Sequence, residues 1–83
     1  MEGLQPMTWS GMPGNIYFLR TEPYYRIIWV AEGSMIVELT EEGRWIKLEK
    51  GDRLDLPPGV PHQAVVGKHG VICLEARSKP ISR

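Results

Sequence analysis

The sequence predicts an all-β fold, a sandwich or closed barrel, on three observations. Short runs of aromatic, β-branched and other apolar residues recur along its 83 residues. Nine glycines and seven prolines punctuate those runs. No window carries an apolar stripe at helical spacing, so seven short strands at close intervals remain as the reading.

Residues 1–15 read as a loop or an edge strand. A first run, Ile16, Tyr17, Phe18 and Leu19, follows Gly11, Pro13 and Gly14. Residues 24–30 form a second run, rich in aromatic and β-branched side chains, and it closes at Gly33. Residues 35–39 and 45–49 flank Glu41, Glu42 and Gly43, which suits a short hairpin loop whose glycine supplies a positive φ. Arg53, Leu54, Asp55 and Leu56 alternate polar with apolar until Pro57, Pro58 and Gly59 stop them. Residues 63–66 and 71–76 flank Gly67, Lys68, His69 and Gly70, which reads as another hairpin. The tail, residues 78–83, is polar and expected to fray. No repeat, low-complexity tract or second domain is evident.

A chain of this length makes one domain and buries only roughly 60–65% of the surface it exposes when unfolded, so association into a dimer is expected. Ten Lys and Arg balance ten Asp and Glu, and no basic run occurs, so neither nucleic acid nor membrane is an expected partner. There is no apolar stretch of about 18 residues and no basic-then-apolar start, so neither a transmembrane helix nor a secretory signal is expected. Cys73 is the only cysteine, which excludes an internal disulfide and makes a reducing cytoplasm the expected compartment.

The segment from Gly51 through Pro57, Pro58, Gly59, Val60 and Pro61 to His62 resembles the second conserved motif of the cupin superfamily. That motif is a Gly, five residues, Pro, one residue, Gly, two residues, His, three residues and Asn. Gly51, Pro57, Gly59 and His62 match it, and Val66 stands at the Asn position. The first cupin motif is a Gly, five residues, His-x-His, three or four residues, Glu, six residues and Gly. With its last Gly on Gly33 and its first on Gly14, the two His positions fall on Arg20 and Glu22 and the Glu position on Arg26. The 17 residues between Gly33 and Gly51 support this register. The resemblance covers residues 14–77 and implies a jelly-roll β-barrel of about seven or eight short antiparallel strands, very often dimeric. Local chemistry agrees. Gly33 and Gly51 suit tight turns, Pro57 and Pro58 suit a strand end, and His62 shares a strand face with Ala64 and Val66.

A metal-binding cupin presents imidazoles and a carboxylate to a divalent ion. Here Arg20 and Arg26 bring permanent positive charge to ligand positions, and arginine has no lone pair to donate. Two unit charges about 4 Å apart repel by about 4 kcal/mol at an effective dielectric near 20, and a dication feels twice that from each arginine. Glu22 and His62 alone fall short of the three ligands of a catalytic zinc site. The expectation is therefore a pocket without the usual metal. Arg20 and Arg26 would face a small anionic ligand, a carboxylate or phosphate ester, with His62 as a further donor. An equal alternative makes Arg26 a structural ion pair with Glu22 or Glu75.

A four-residue loop at 67–70 would set Val66 opposite Val71, Ala64 opposite Cys73 and His62 opposite Glu75. Glu22, His62, Cys73 and Glu75 would then gather inside the barrel. The candidate pocket is accordingly Arg20, Glu22, Arg26, His62, Cys73 and Glu75. The alternative to a cofactor-free pocket is zinc, manganese, iron or nickel held by Glu22, His62 and Glu75, in an isomerase, dioxygenase or decarboxylase of the kind many cupins are. A third reading is a structural or interaction module with a vestigial pocket.

Several of these residues also have plainer roles. His62 also reads as a strand-starting residue bonded to the proline-rich loop, His69 as a solvated turn residue, and Cys73 as a small buried apolar filler. Asp52 reads as a backbone cap in its turn. Trp9, Trp29 and Trp45 read as core or interface. Residues 24–30 are apolar on both faces, with Arg26, Ile28 and Val30 on one side and Tyr25, Ile27 and Trp29 on the other. A barrel has one inward face, so a homodimer is expected to cover the second, and Ile72, Leu74 and Ala76 pose the same requirement.

Overall fold

A computed structural model describes residues 6–78, all of whose regular structure is β-strand. There are six strands: β1 (Met7–Gly11), β2 (Ile16–Arg20), β3 (Tyr25–Leu39), β4 (Arg44–Glu49), β5 (Arg53–Leu56) and β6 (His62–Ser78). Every pairing is antiparallel. The jelly-roll expectation holds, with two of the expected runs fused in each of the long strands. β3 absorbs residues 24–30 and 35–39, and β6 absorbs residues 63–66 and 71–76.

These two strands pair along their length and carry the architecture. The first half of β3 pairs with β5, and the end of β6 beside it pairs with β1. The second half of β3 pairs with β4, and the start of β6 beside it pairs with β2. The result is two four-strand layers, β5-β3-β6-β1 and β4-β3-β6-β2, that share their central strands.

Passing from one layer to the other requires a change of phase, because side chains alternate along a strand. On β3 the inward residues are Ile28 and Val30, then Met35, Val37 and Leu39; on β6 they are Ala64 and Val66, then Val71 and Cys73. The parity switches between Val30 and Met35, where the ladder shows its two irregularities. β-Bulges re-aim strands in this way. Gly33 sits there with φ +78° and so close to β6 that a methyl group would overlap the Gly70 carbonyl oxygen.

The expected hairpin at 67–70 is therefore corrected. Gly67, Lys68, His69 and Gly70 mark the bend of one continuous strand, because its partner throughout is β3 and not its own other half. Val66 does not face Val71, nor Ala64 Cys73, nor His62 Glu75. The Glu41, Glu42 and Gly43 loop does close a hairpin, with Leu39 opposite Arg44 and φ +66° at Gly43. Asp52 caps its turn by accepting from the Glu49 backbone N–H at 2.8 Å. Met7–Gly11 is an edge strand, and Ser78 ends β6 opposite Tyr25 instead of fraying. The expectations for residues 1–5 and 79–83 lie outside the described residues. No helix of the described residues is long and apolar enough to cross a membrane.

The core between the layers is built from Ile28, Val30, Met35, Val37, Leu39, Leu48, Leu56, Ala64, Val66, Val71 and Cys73. At one end this apolar filling gives way to a charged cluster.

Candidate functional site

Three charged or polar side chains are buried among the described residues: Arg26, His62 and Glu75. Strand geometry puts them together. Arg26 and Ile28 face inward on β3, Glu75 lies opposite Ile28 on β6, and His62 starts β6 between Leu39 and Arg20. The loop before β6 fixes the remaining member. The Gly59 N–H donates to the Glu22 carbonyl at 2.9 Å, which ties the proline-rich segment to the residues entering β3.

Arg26 is the centre of this cluster. Its Nη1 donates to Glu22 Oε1 at 2.8 Å and lies 3.3 Å from His62 Nε2; its Nη2 donates to Glu75 Oε1 at 2.7 Å. His62 Nδ1 lies 2.9 Å from the Val60 carbonyl, which only accepts, so Nδ1 carries the proton and Nε2 receives the Arg26 hydrogen. Arg26 Nε is buried and has no hydrogen-bond partner. Further donors surround the carboxylates. Glu75 takes Trp9 Nε1 at 2.9 Å and Arg77 Nε at 2.6 Å, while Glu22 takes the Tyr24 hydroxyl at 2.7 Å and pairs with Arg20 at 3.3 Å.

The electrostatics follow from this crowding. Burial alone would raise both carboxyl groups, because a low-dielectric site disfavours charge. For Glu22 the Tyr24 hydroxyl and the Arg26 charge outweigh burial, and for Glu75 the Arg26 and Arg77 bonds do; both carboxylates are held below their ordinary range. Burial would likewise weaken the Arg26 cation, but Glu75 and Glu22 hold it firmly protonated.

Beside the cluster lies a cavity of about 350 Å³. Trp9, Tyr17, Ile28, Met35, Val37 and Leu56 supply its apolar lining, and Arg20, Arg26, His62, Glu75 and Arg77 its polar side. The Trp9 and Tyr17 rings meet edge to face at 5.8 Å.

Five of the six expected residues thus stand in one constellation: Arg20, Glu22, Arg26, His62 and Glu75. They meet through Arg26 and the bend of β6, not through the hairpin expected to align them. Arg20 is half exposed at the cavity edge, and Arg26 pairs with both carboxylates, as the ion-pair alternative holds. Cys73 is corrected. Its side chain is fully buried in the core, with Sγ 3.9 Å from Met35 Sδ, and it does not line the cavity. Burial and the nearby Glu75 push its thiol up to about 11, which makes it a filler and not a nucleophile. Four contributors were not anticipated: Trp9, Tyr17, Tyr24 and Arg77. Arg77 was within reach, since it lies two residues beyond Glu75 and shares its strand face. Trp9 gave no local signal.

The cupin resemblance raises the question of a metal at this place, and the side chains do not fit one. The Arg26 guanidinium already engages Glu22, His62 and Glu75, the three groups that would have to hold the ion. Among the described residues no three His, Cys, Asp or Glu side chains are grouped closely enough to hold a metal.

No family profile matches the chain. A curated relative, acireductone dioxygenase of Puccinia graminis f. sp. tritici, is 37% identical over 71 residues; the match covers 71% of this chain and 39% of the relative, so the chain spans well under half of that protein. Among solved structures, an RmlC-like cupin from Shewanella frigidimarina superimposes with a TM-score of 0.78 at 25% identity, covering 93% of this chain and 67% of the other. KdgF from Halomonas sp. gives 0.73 at 25% identity, covering 92% and 70%. A cupin protein from Bacteroides fragilis gives 0.78 at 19% identity, covering 98% and 70%. The chain thus has the cupin fold, with Gly51, Pro57, Gly59 and His62 at the spacing of the second cupin motif.

Proposed function

We propose that this protein binds a small anionic metabolite, a carboxylate or phosphate ester, in the barrel cavity without the usual cupin metal. The observation that carries the reading is the cavity of about 350 Å³ whose polar side is formed by Arg20, Arg26, His62 and Arg77. A cavity of this size lies within the range of small-molecule sites, roughly 300–1,000 Å³. Arg20, Arg26 and Arg77 bring three positive charges against the two of Glu22 and Glu75, which leaves one to be balanced by a monoanion. The apolar lining by Trp9, Tyr17, Met35 and Leu56 favours a ligand with an apolar body. The chain acts as a homodimer in this reading, supported by the exposed Ile72 and Leu74 on β6, and works in a reducing cytoplasm, where its one cysteine stays unpaired.

Thermal unfolding against a panel of small carboxylates and phosphate esters tests this directly. A ligand at about 100 times its Kd stabilises by about 2.7 kcal/mol, which for a domain of this size raises Tm by roughly 10–20 °C. Arg20→Ala is expected to abolish much of that shift. A panel without a stabilising member overturns the reading and leaves an interaction module with a vestigial pocket. The 37% identity to a protein named acireductone dioxygenase favours a second reading, a metal-dependent cupin enzyme. Elemental analysis of the purified protein separates the two.

A further inference from the structure

We propose that the Arg26 guanidinium is a chain-borne cation standing in the place of a divalent ion, and that Glu22, His62 and Glu75 form a latent metal site which this one side chain keeps closed. The inference does not depend on what fills the cavity. Its basis is the inventory of groups around the guanidinium. Glu22 Oε1 and Glu75 Oε1 approach its terminal nitrogens at 2.8 and 2.7 Å, and His62 Nε2 lies at 3.3 Å.

Two carboxylates and an unprotonated imidazole nitrogen are the donors of a hydrolytic or redox metal centre. Each is oriented as metal ligands are, by a partner on its other side. The Val60 carbonyl fixes the His62 tautomer, Trp9 and Arg77 hold Glu75, and Tyr24 holds Glu22. Since the guanidinium is planar and wide, the three groups spread over its two terminal nitrogens instead of converging on a point, and no metal-binding group forms among the described residues.

The charges make the substitution specific. Glu22 and Glu75 are nearly buried, with side chains 13% and 2% exposed; Arg20 and Arg77 pair with their Oε2 atoms, and Arg26 is the cation that joins their Oε1 atoms. Arginine supplies one that neither dissociates nor deprotonates, and the cluster keeps its form whatever metals are present. Without Arg26 two buried like charges would face each other, and a small divalent ion at about 2.0–2.2 Å from each donor is the group best able to bridge them.

The test is a cobalt(II) titration followed by visible absorption and elemental analysis. The unaltered protein is expected to take up no stoichiometric cobalt, and Tm is expected to be insensitive to chelators. Arg26→Ala, refolded with and without cobalt(II), is expected to bind one ion per chain, to show the absorption of a low-coordinate site, and to gain in Tm on metal addition. His62→Ala added to that variant is expected to remove the ion. A stoichiometric metal in the unaltered protein that is lost with His62→Ala overturns the proposal. So does an Arg26→Ala protein that folds and takes up no ion, or one that fails to fold equally with and without cobalt(II). Failure of ligand binding in the cavity would leave all of these results standing.

Discussion

Glu75 is where the residue-scale energetics concentrate. It is 1% exposed and receives Arg26, Arg77 and Trp9. Removing one partner of a buried ion pair leaves the other uncompensated and costs about 3–5 kcal/mol. Glu75→Ala is therefore expected to lower Tm by more than 10 °C in thermal unfolding, at about 4–8 °C per kcal/mol for a domain of this size. Trp9→Phe, which deletes the indole N–H and trims the ring at the cavity wall, is expected to lose less, with about 1.5–3 kcal/mol from the lost bond to a charged group. The same carboxylates set the acid response. Both are held below their ordinary pKa of 4.5, so the unfolded chain binds more protons than the folded one just below that value. Their stabilising contribution is complete above about pH 4.5 and is lost as pH falls through their folded values. Chemical denaturation from pH 6 to pH 3 is expected to show stability falling with acid, and Glu75→Gln is expected to flatten that slope. An unchanged slope would place the acid sensitivity elsewhere.

At the scale of elements, the bends of β3 and β6 decide what meets what. Each long strand must reverse which alternate residues face inward, and only an irregular, glycine-bearing stretch allows it. Gly33 combines a positive φ with backbone contact at Gly70, so an alanine there meets both left-handed strain and a collision with main chain. Gly33→Ala is expected to destabilise by about 3 kcal/mol, from strain and overpacking each worth roughly 1–3 kcal/mol. Gly43→Ala, with open space around it, meets only the strain and is expected to lose less. Equal losses in urea unfolding would show that the approach of Gly33 to β6 is unimportant. The bend also carries function: without the phase change of β6, His62 and Glu75 would not both face inward.

For the whole molecule the open matter is the second apolar face. The sequence assigned it to residues 24–30, but the chain covers much of that face itself. Ile27 is 5% exposed, Arg53 lies over the Trp29 ring at 5.4 Å, and the Tyr25 hydroxyl donates to Asp55 at 3.0 Å. Of the residues expected on that face, Ile72 and Leu74 on β6 stay uncovered, 43% and 39% exposed, while Phe18 and Trp45 elsewhere are more exposed still, at 76% and 62%. The proposed homodimer therefore rests on Ile72 and Leu74 and not on Tyr25, Ile27 or Trp29. Light scattering at micromolar concentration is expected to give twice the chain mass, and Ile72→Lys with Leu74→Lys is expected to give a folded monomer. A monomeric unaltered protein would remove the homodimer.

The sequence by itself determined the fold class, because glycine, proline and strand-length apolar runs are local signals, and the motif at Gly51, Pro57, Gly59 and His62 is a spacing within one segment. It also determined that Arg20, Glu22, Arg26 and His62 stand where metal ligands are expected, whereas Glu75 was reached only through a hairpin at 67–70 that the structure replaces. Tertiary structure alone decided how they meet. A glycine pair reads equally as a hairpin turn or as a bend, and the choice depends on which strand pairs alongside, a contact between residues far apart in the chain. For the same reason Cys73, on the expected face, turned into the core beside Met35, and Trp9, in a segment with no local signal, came to hold Glu75. Local chemistry fixes which residues are present; the change of strand phase fixes which of them face one another.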